Sequence, residues 1–152
     1  HNSPSGAVER VIYALLEKSA MQIKDGKIPQ FPLWLAPTQV RLIPLKDDFL
    51  EFASNLASKL TEQNIRVDID DRNDTIGKRI RDAEKEWINY VLVIGEKEVN
   101  SISLSIRDRT TGDVRQLPIE DFVKEIQDAT DGKPTSKLNS TILLSQRPQI
   151  MV

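Results

Sequence analysis

The order of strand-like and helix-like stretches predicts an α/β fold whose sheet is parallel at first and mixed later. Three observations carry this. Short apolar runs at 39–45 (QVRLIPL), 65–70 (IRVDID) and 90–94 (YVLVI) read as strands, and YVLVI is almost wholly apolar, as expected of a central strand covered on both faces. Between them lie stretches whose apolar residues recur at helical spacing. The alternating run 103–109 (SLSIRDR) is followed by Thr110-Thr111-Gly112-Asp113 and then by 114–118, which together read as a hairpin.

The chain opens with HNSPSG and then enters a helical stretch in which Val8, Val11, Ile12, Leu15 and Leu16 share a face. Pro4, Ser5 and Gly6 suit a helix start, and Glu9 suits the positive first turn. This face calls for an apolar partner, either elsewhere in the chain or outside it. Pro29, Pro32 and Pro37 then mark an extended linker, since each lacks an N–H and biases its predecessor away from helix. After the first strand, Phe49, Phe52, Ala53, Leu56, Ala57 and Leu60 mark a helix face. Ile76, Ile80, Ala83 and Trp87 mark another after the second strand. Past the hairpin, Phe122, Val123 and Ile126 face inward from a third helix, and the tail TILLSQRPQIMV is expected to add an edge strand.

At 152 residues and 17.2 kDa, with 39% hydrophobic and 29% charged residues, the chain has the balance of a globular domain with attached segments. Cysteine is absent and the one histidine is His1, which excludes thiolate chemistry, histidine triads and multi-histidine metal sites built from this chain alone. The lack of cysteine fits a reducing compartment, and a cytoplasmic location is expected. No apolar run approaches the roughly 20 residues that span a bilayer, and no signal-peptide pattern opens the chain, so no membrane partner is expected. Net charge is −2, yet Arg72, Lys78, Arg79, Arg81 and Lys85 cluster in one segment and Arg107, Arg109 and Arg115 in another. Such clusters fit either an anionic partner or a solvated helix face laced with Asp74, Asp82 and Glu84.

Four patches are candidates for chemistry. Asp68, Asp70 and Asp71 form an acidic group whose alternation along a strand makes three-fold convergence on a metal awkward, so strand-end solvation and capping of the next helix are the expected roles. The stretch 71–78 (DRNDTIGK) has one glycine and lacks a phosphate-loop pattern. Glu96-Lys97-Glu98 follows the most apolar strand, where open α/β sheets gather ligands, although a charged turn fits equally. Arg107 and Arg109 share one strand face, which is unfavourable unless something anionic, RNA phosphate or Glu98, lies beside them.

The string FPLWLAPTQVRLIPL (31–45) resembles the start of the anticodon-binding domain of class IIa aminoacyl-tRNA synthetases. DDRNDTIGKRIRDAE, then YVLVIGEKEV, then IRDR resemble the threonyl-tRNA synthetase family in particular, and GAVERVIYALLE (6–17) resembles the third signature motif of class II catalytic domains. The resemblance runs in the family's order from His1 to about Asp128. It implies a fold with an about five-stranded mixed sheet (βαβαββα) flanked by helices. It also implies three parts: 1–37, a remnant of the catalytic domain plus linker; 38–130, the anticodon-binding domain; and 131–152, a tail.

The same resemblance implies that the chain would be the C-terminal piece of a longer synthetase of that family, expected to be a homodimer that joins threonine to its tRNA with ATP and magnesium and carries catalytic zinc. Arg10 matches the motif's ATP-binding arginine and His1 a zinc ligand. The remaining zinc ligands are absent, so the fragment is expected to bind RNA without catalysing and to hold no cofactor itself. Its partners would be the anticodon loop of threonine tRNA and its own catalytic domain. Threonine anticodons share a middle guanine and a final uracil. Glu98 matches the family position that accepts the guanine edge, Arg107 its partner arginine, and Asn73 and Arg81 match residues at the neighbouring uracil and backbone. The anticodon domain of a prolyl- or glycyl-tRNA synthetase, or a non-catalytic interaction module derived from such a domain, are the alternatives. Phe31 and Trp34 could stack on bases, with burial against the sheet or the catalytic domain the favoured role.

Overall fold

The computed structural model describes residues 6–101 and 103–148. Helix α1 (Val8–Lys24) comes first, and Gly26 closes it at φ 71, a left-handed conformation that glycine adopts freely. The proline-punctuated linker expected from the sequence follows. Ser19, the buried residue of α1, donates its hydroxyl to the carbonyl of Gln30, while Val8, Ile12, Tyr13 and Leu16 stay exposed. The apolar face of α1 therefore remains largely uncovered.

Five strands make one sheet in the order β2-β1-β3-β4-β5: β1 (Val40–Pro44), β2 (Val67–Ile69), β3 (Tyr90–Ile94), β4 (Ser103–Asp108) and β5 (Val114–Pro118). β1 pairs in parallel with β2 and β3, whereas β4 runs antiparallel to β3 and β5 antiparallel to β4. A 3₁₀ turn at Asp47–Phe49 leads into α2 (Leu50–Glu62); α3 (Ile76–Lys85) joins β2 to β3, α4 (Glu96–Val99) joins β3 to β4, and α5 (Ile119–Thr130) follows the hairpin. The parallel-then-mixed sheet matches the expectation. The short helix α4, where a charged turn was the bland alternative, is an addition.

The two faces of the sheet are covered differently. On one, α2 and α5 bring Leu56, Leu60, Phe122 and Ile126 onto Val40, Leu42, Leu92 and Ile106 to form the main core. Each such side chain, fully buried, contributes roughly 1.5–3 kcal/mol of transfer free energy. On the other, α3 alone covers a small cluster of Ile43, Ala83, Ile88 and Val91. Trp87, expected on the inward face of α3, takes φ 59 just past the helix end and packs on Phe31 with ring centroids 5.1 Å apart. Ile76, also expected to face inward, is exposed.

The tail does not add a full strand. Leu143 makes a single parallel bridge to Ile69 on the outer edge of β2, and a 3₁₀ turn (Leu144–Gln146) follows.

Candidate nucleic-acid interface

The parallel strands β1, β2 and β3 end on one side of the sheet, and β1 leads to a helix on one face while β2 leads to a helix on the other. A crevice at such a reversal is where open α/β sheets bind ligands. Three loops surround it here, one after each strand.

The loop after β3 carries Glu98, the third residue of α4. Its Oε2 accepts the Gly95 N–H at 3.1 Å, and its Oε1 accepts the Ser105 hydroxyl at 2.6 Å. Burial pushes this carboxyl up, but the Ser105 hydroxyl, the local backbone N–H groups and nearby Lys97 outweigh it and hold it below the usual glutamate range. The group is therefore ionised at neutral pH and held in one orientation. Gly95 permits that fold-back, because a Cβ there would lie 2.9 Å from Leu45 Cδ1 and 3.4 Å from Glu98 Oε2.

Arg107 lies on the α3 face of β4, opposite Val91 in the register. With Arg81, Lys85 and Arg109 it lines a cleft of about 390 Å³ between α3 and β4. The expected fork between Arg107 and Glu98 is not formed. Ser105, two residues earlier on the same strand face, takes the carboxylate instead. The register explains why: Arg107 pairs with Val91 at the start of β3, whereas Glu98 lies beyond its end at Ile94. Arg109 is occupied, donating to the carbonyls of Pro29 at 3.1 Å and Glu84 at 2.6 Å, and so ties the linker to α3.

The loop after β2 carries Asn73, exposed in a depression shared with Leu45, Lys46 and Asp47 from the loop after β1. The structure thus brings Arg81 and Arg107 into one cleft, and sets Asn73 and Glu98 on the strand-end side. Arg10 stands exposed on α1. His1 lies outside the described residues.

The acidic group is neither a solvated strand end nor a helix cap. Asp68 is fully buried and forked by Arg41, with Nε–Oδ1 2.8 Å and Nη2–Oδ2 2.9 Å, and Arg41 also reaches Glu86 at 2.7 Å. Asp70 is forked by Arg72, and Arg79 donates to the carbonyls of Pro44 and Asp70. Burial pushes the Asp70 carboxyl up, but Arg72 and then Arg79 outweigh this and hold it below its ordinary value. Asp71 accepts from Ser145. Among the described residues no group of three or more His, Asp or Glu side chains could hold a metal. The buried Arg41 and the bond from Ser105 were missed. Charge masked the first, whereas the alternation in SLSIRDR already put Ser105 and Arg107 on one face.

A carboxylate fixed at a strand end and cations facing an open cleft are features of a recognition domain. The family of the anticodon binding domain matches residues 39–129. The chain belongs to that family. It is 64% identical over all 152 residues to the threonine–tRNA ligase of Nitrosopumilus maritimus, covering 24% of that protein. It is 48% identical over 149 residues (98% of this chain, 24% of the relative) to that of Pyrococcus furiosus. The RNA binding domain of threonyl-tRNA synthetase from Cryptosporidium parvum is similar in structure, with TM-score 0.62 and 29% identity over 70% of this chain and 26% of that one. The chain spans about a quarter of the length of the curated relatives it matches.

Proposed function

We propose that this chain is the anticodon-reading part of a threonine–tRNA ligase. One observation carries the reading. Within the family-matched region, Arg41, Arg66, Arg72, Arg79, Arg109 and Arg115 are all engaged by the protein's own carboxylates or carbonyls. Arg81 and Arg107 have no such partner among the described residues and line one cleft. They are the two arginines that the family resemblance assigns to RNA.

Each Glu98 oxygen already accepts one hydrogen bond and keeps a further lone pair. A looped-out guanine could therefore offer its N1–H and N2–H edge to the carboxylate without breaking the internal bonds. Arg107 would contact the base from the adjoining cleft, by stacking or hydrogen bonding. Asn73 offers both a donor and an acceptor, as the uracil edge requires, and Arg81 would neutralise the backbone.

Threonine activation with ATP and magnesium, and the zinc site, are assigned to the length of the parent that this chain does not span. In this reading Arg10, exposed on α1, is the residue of this chain that the resemblance assigns to ATP. The resemblance further implies a homodimeric, cytoplasmic parent; among the described residues no helix is long and apolar enough to cross a membrane.

A titration of anticodon stem-loops at fixed salt tests the reading. The loop with middle guanine should bind roughly 10- to 100-fold tighter than one carrying adenine there, the range a bidentate base contact supplies. Glu98→Ala and Arg107→Ala should each abolish most of that ratio while the domain stays folded. Equal binding of both loops, falling steeply with salt, would mean phosphate attraction alone and would overturn the proposal.

A further inference from the structure

The tail beyond the family-matched region is tied to a short stretch of β2 and the loop after it. The Ile69 N–H donates to the Ile142 carbonyl at 2.9 Å, on the strand edge that has no neighbour in the sheet. The 3₁₀ turn then aims two donors of Ser145 at one carboxylate: its N–H reaches Asp71 Oδ1 at 2.9 Å and its hydroxyl reaches Asp71 Oδ2. Arg147 Nη2 lies 3.0 Å from Asp68 Oδ2, and its Nε donates to the Thr141 carbonyl at 3.0 Å, which closes the segment on itself. Leu144 is buried, and Leu143 packs against the main core. Residues 68, 69 and 71 are thus all held by the tail.

Asn73 sits two residues further on. Arg72 is forked to Asp70 and also reaches Asp82 at 3.3 Å, while Asp74 takes Lys78 at 2.7 Å. In the stretch 70–74 Asn73 alone keeps a side chain with no partner among the described residues. A loop tethered at every neighbour of one exposed carboxamide holds that carboxamide in place.

We propose that segment 141–147 is a clasp that presets the loop after β2 for base reading, with Ser145 as a positioning residue for Asn73. This rests on the reading of Asn73 as the uracil contact. The full chain would be titrated with three stem-loops: the parent, one with the final uracil replaced by cytosine, and one with the middle guanine replaced by adenine. Ser145→Ala should lower the preference for uracil roughly three- to tenfold, the scale of one hydrogen bond, and leave the guanine preference within about twofold. Ser145→Thr, which keeps the hydroxyl, should restore the uracil preference. Amide exchange at Ile69 should quicken in Ser145→Ala if the clasp loosens.

If Ser145→Ala lowers both preferences equally, or neither, or if Thr fails to rescue, the clasp is overturned while the function stands. A wild-type chain that prefers neither base overturns the functional reading, and the role of the clasp falls with it.

Discussion

The two faces of this one sheet do different physical work. The face under α2 and α5 is closed and apolar, with Leu60, Phe122 and Ile126 at most 1% exposed. The face under α3 is closed only beside β1 and β3. Its small apolar cluster is bordered by buried ion pairs, and beyond β3 it opens into the cleft of Arg81 and Arg107. Two helices on one side and one on the other leave room beside the antiparallel half of the sheet for that open cleft. Cohesion is concentrated on the covered face, and the other can carry unpaired donors because little of its area has to be dry.

This contrast can be broken by removing one group from each face. Phe122→Ala should cost the most, about 3–5 kcal/mol in urea unfolding, because the closed face cannot collapse around the void. A loss well under 1 kcal/mol would mean that α5 is not part of the core. Asp68→Ala should cost about 3 kcal/mol by leaving Arg41 buried without its fork, whereas Arg41→Met with Asp68→Leu should recover most of that loss. If the double change is as damaging as the single one, the ion pairs are more than space-filling on the α3 face.

Acid should produce the gentlest effect. Asp70 and Glu98 both have depressed folded values, so their contributions are complete above the unfolded pKa and vanish as pH falls through the folded one. Stability should hold steady above about pH 5 and decline below about pH 4. Asp70→Asn should remove part of the decline, and a curve unchanged by that substitution would exclude Asp70 as a source.

Much of the fold was legible because burial leaves a periodic trace. The runs 90–94 and 114–118 coincide with β3 and β5, and the Phe122 and Ile126 face lies where helical spacing puts it. Trp87 was misjudged because helical spacing was carried past Glu86, where the chain turns left-handed and leaves the helix. Asp68 and Asp70 were misjudged because a carboxylate counts as exposed until its cation is known. Their cations come from β1 for Asp68, from the following loop and α3 for Asp70, and from the tail for Asp68 again.

The order of strands and helices and the inward residues of the closed face are properties of the sequence itself, because periodicity and residue chemistry are local, whereas the candidate contacts are what the family resemblance implies. Which arginines are left free, that Ser105 rather than Arg107 holds Glu98, and that the tail closes on the loop beside Asn73 were settled only by the packed chain. Each of these depends on groups far apart in sequence, and an ion pair or hydrogen bond exists only once folding has brought both partners to one place.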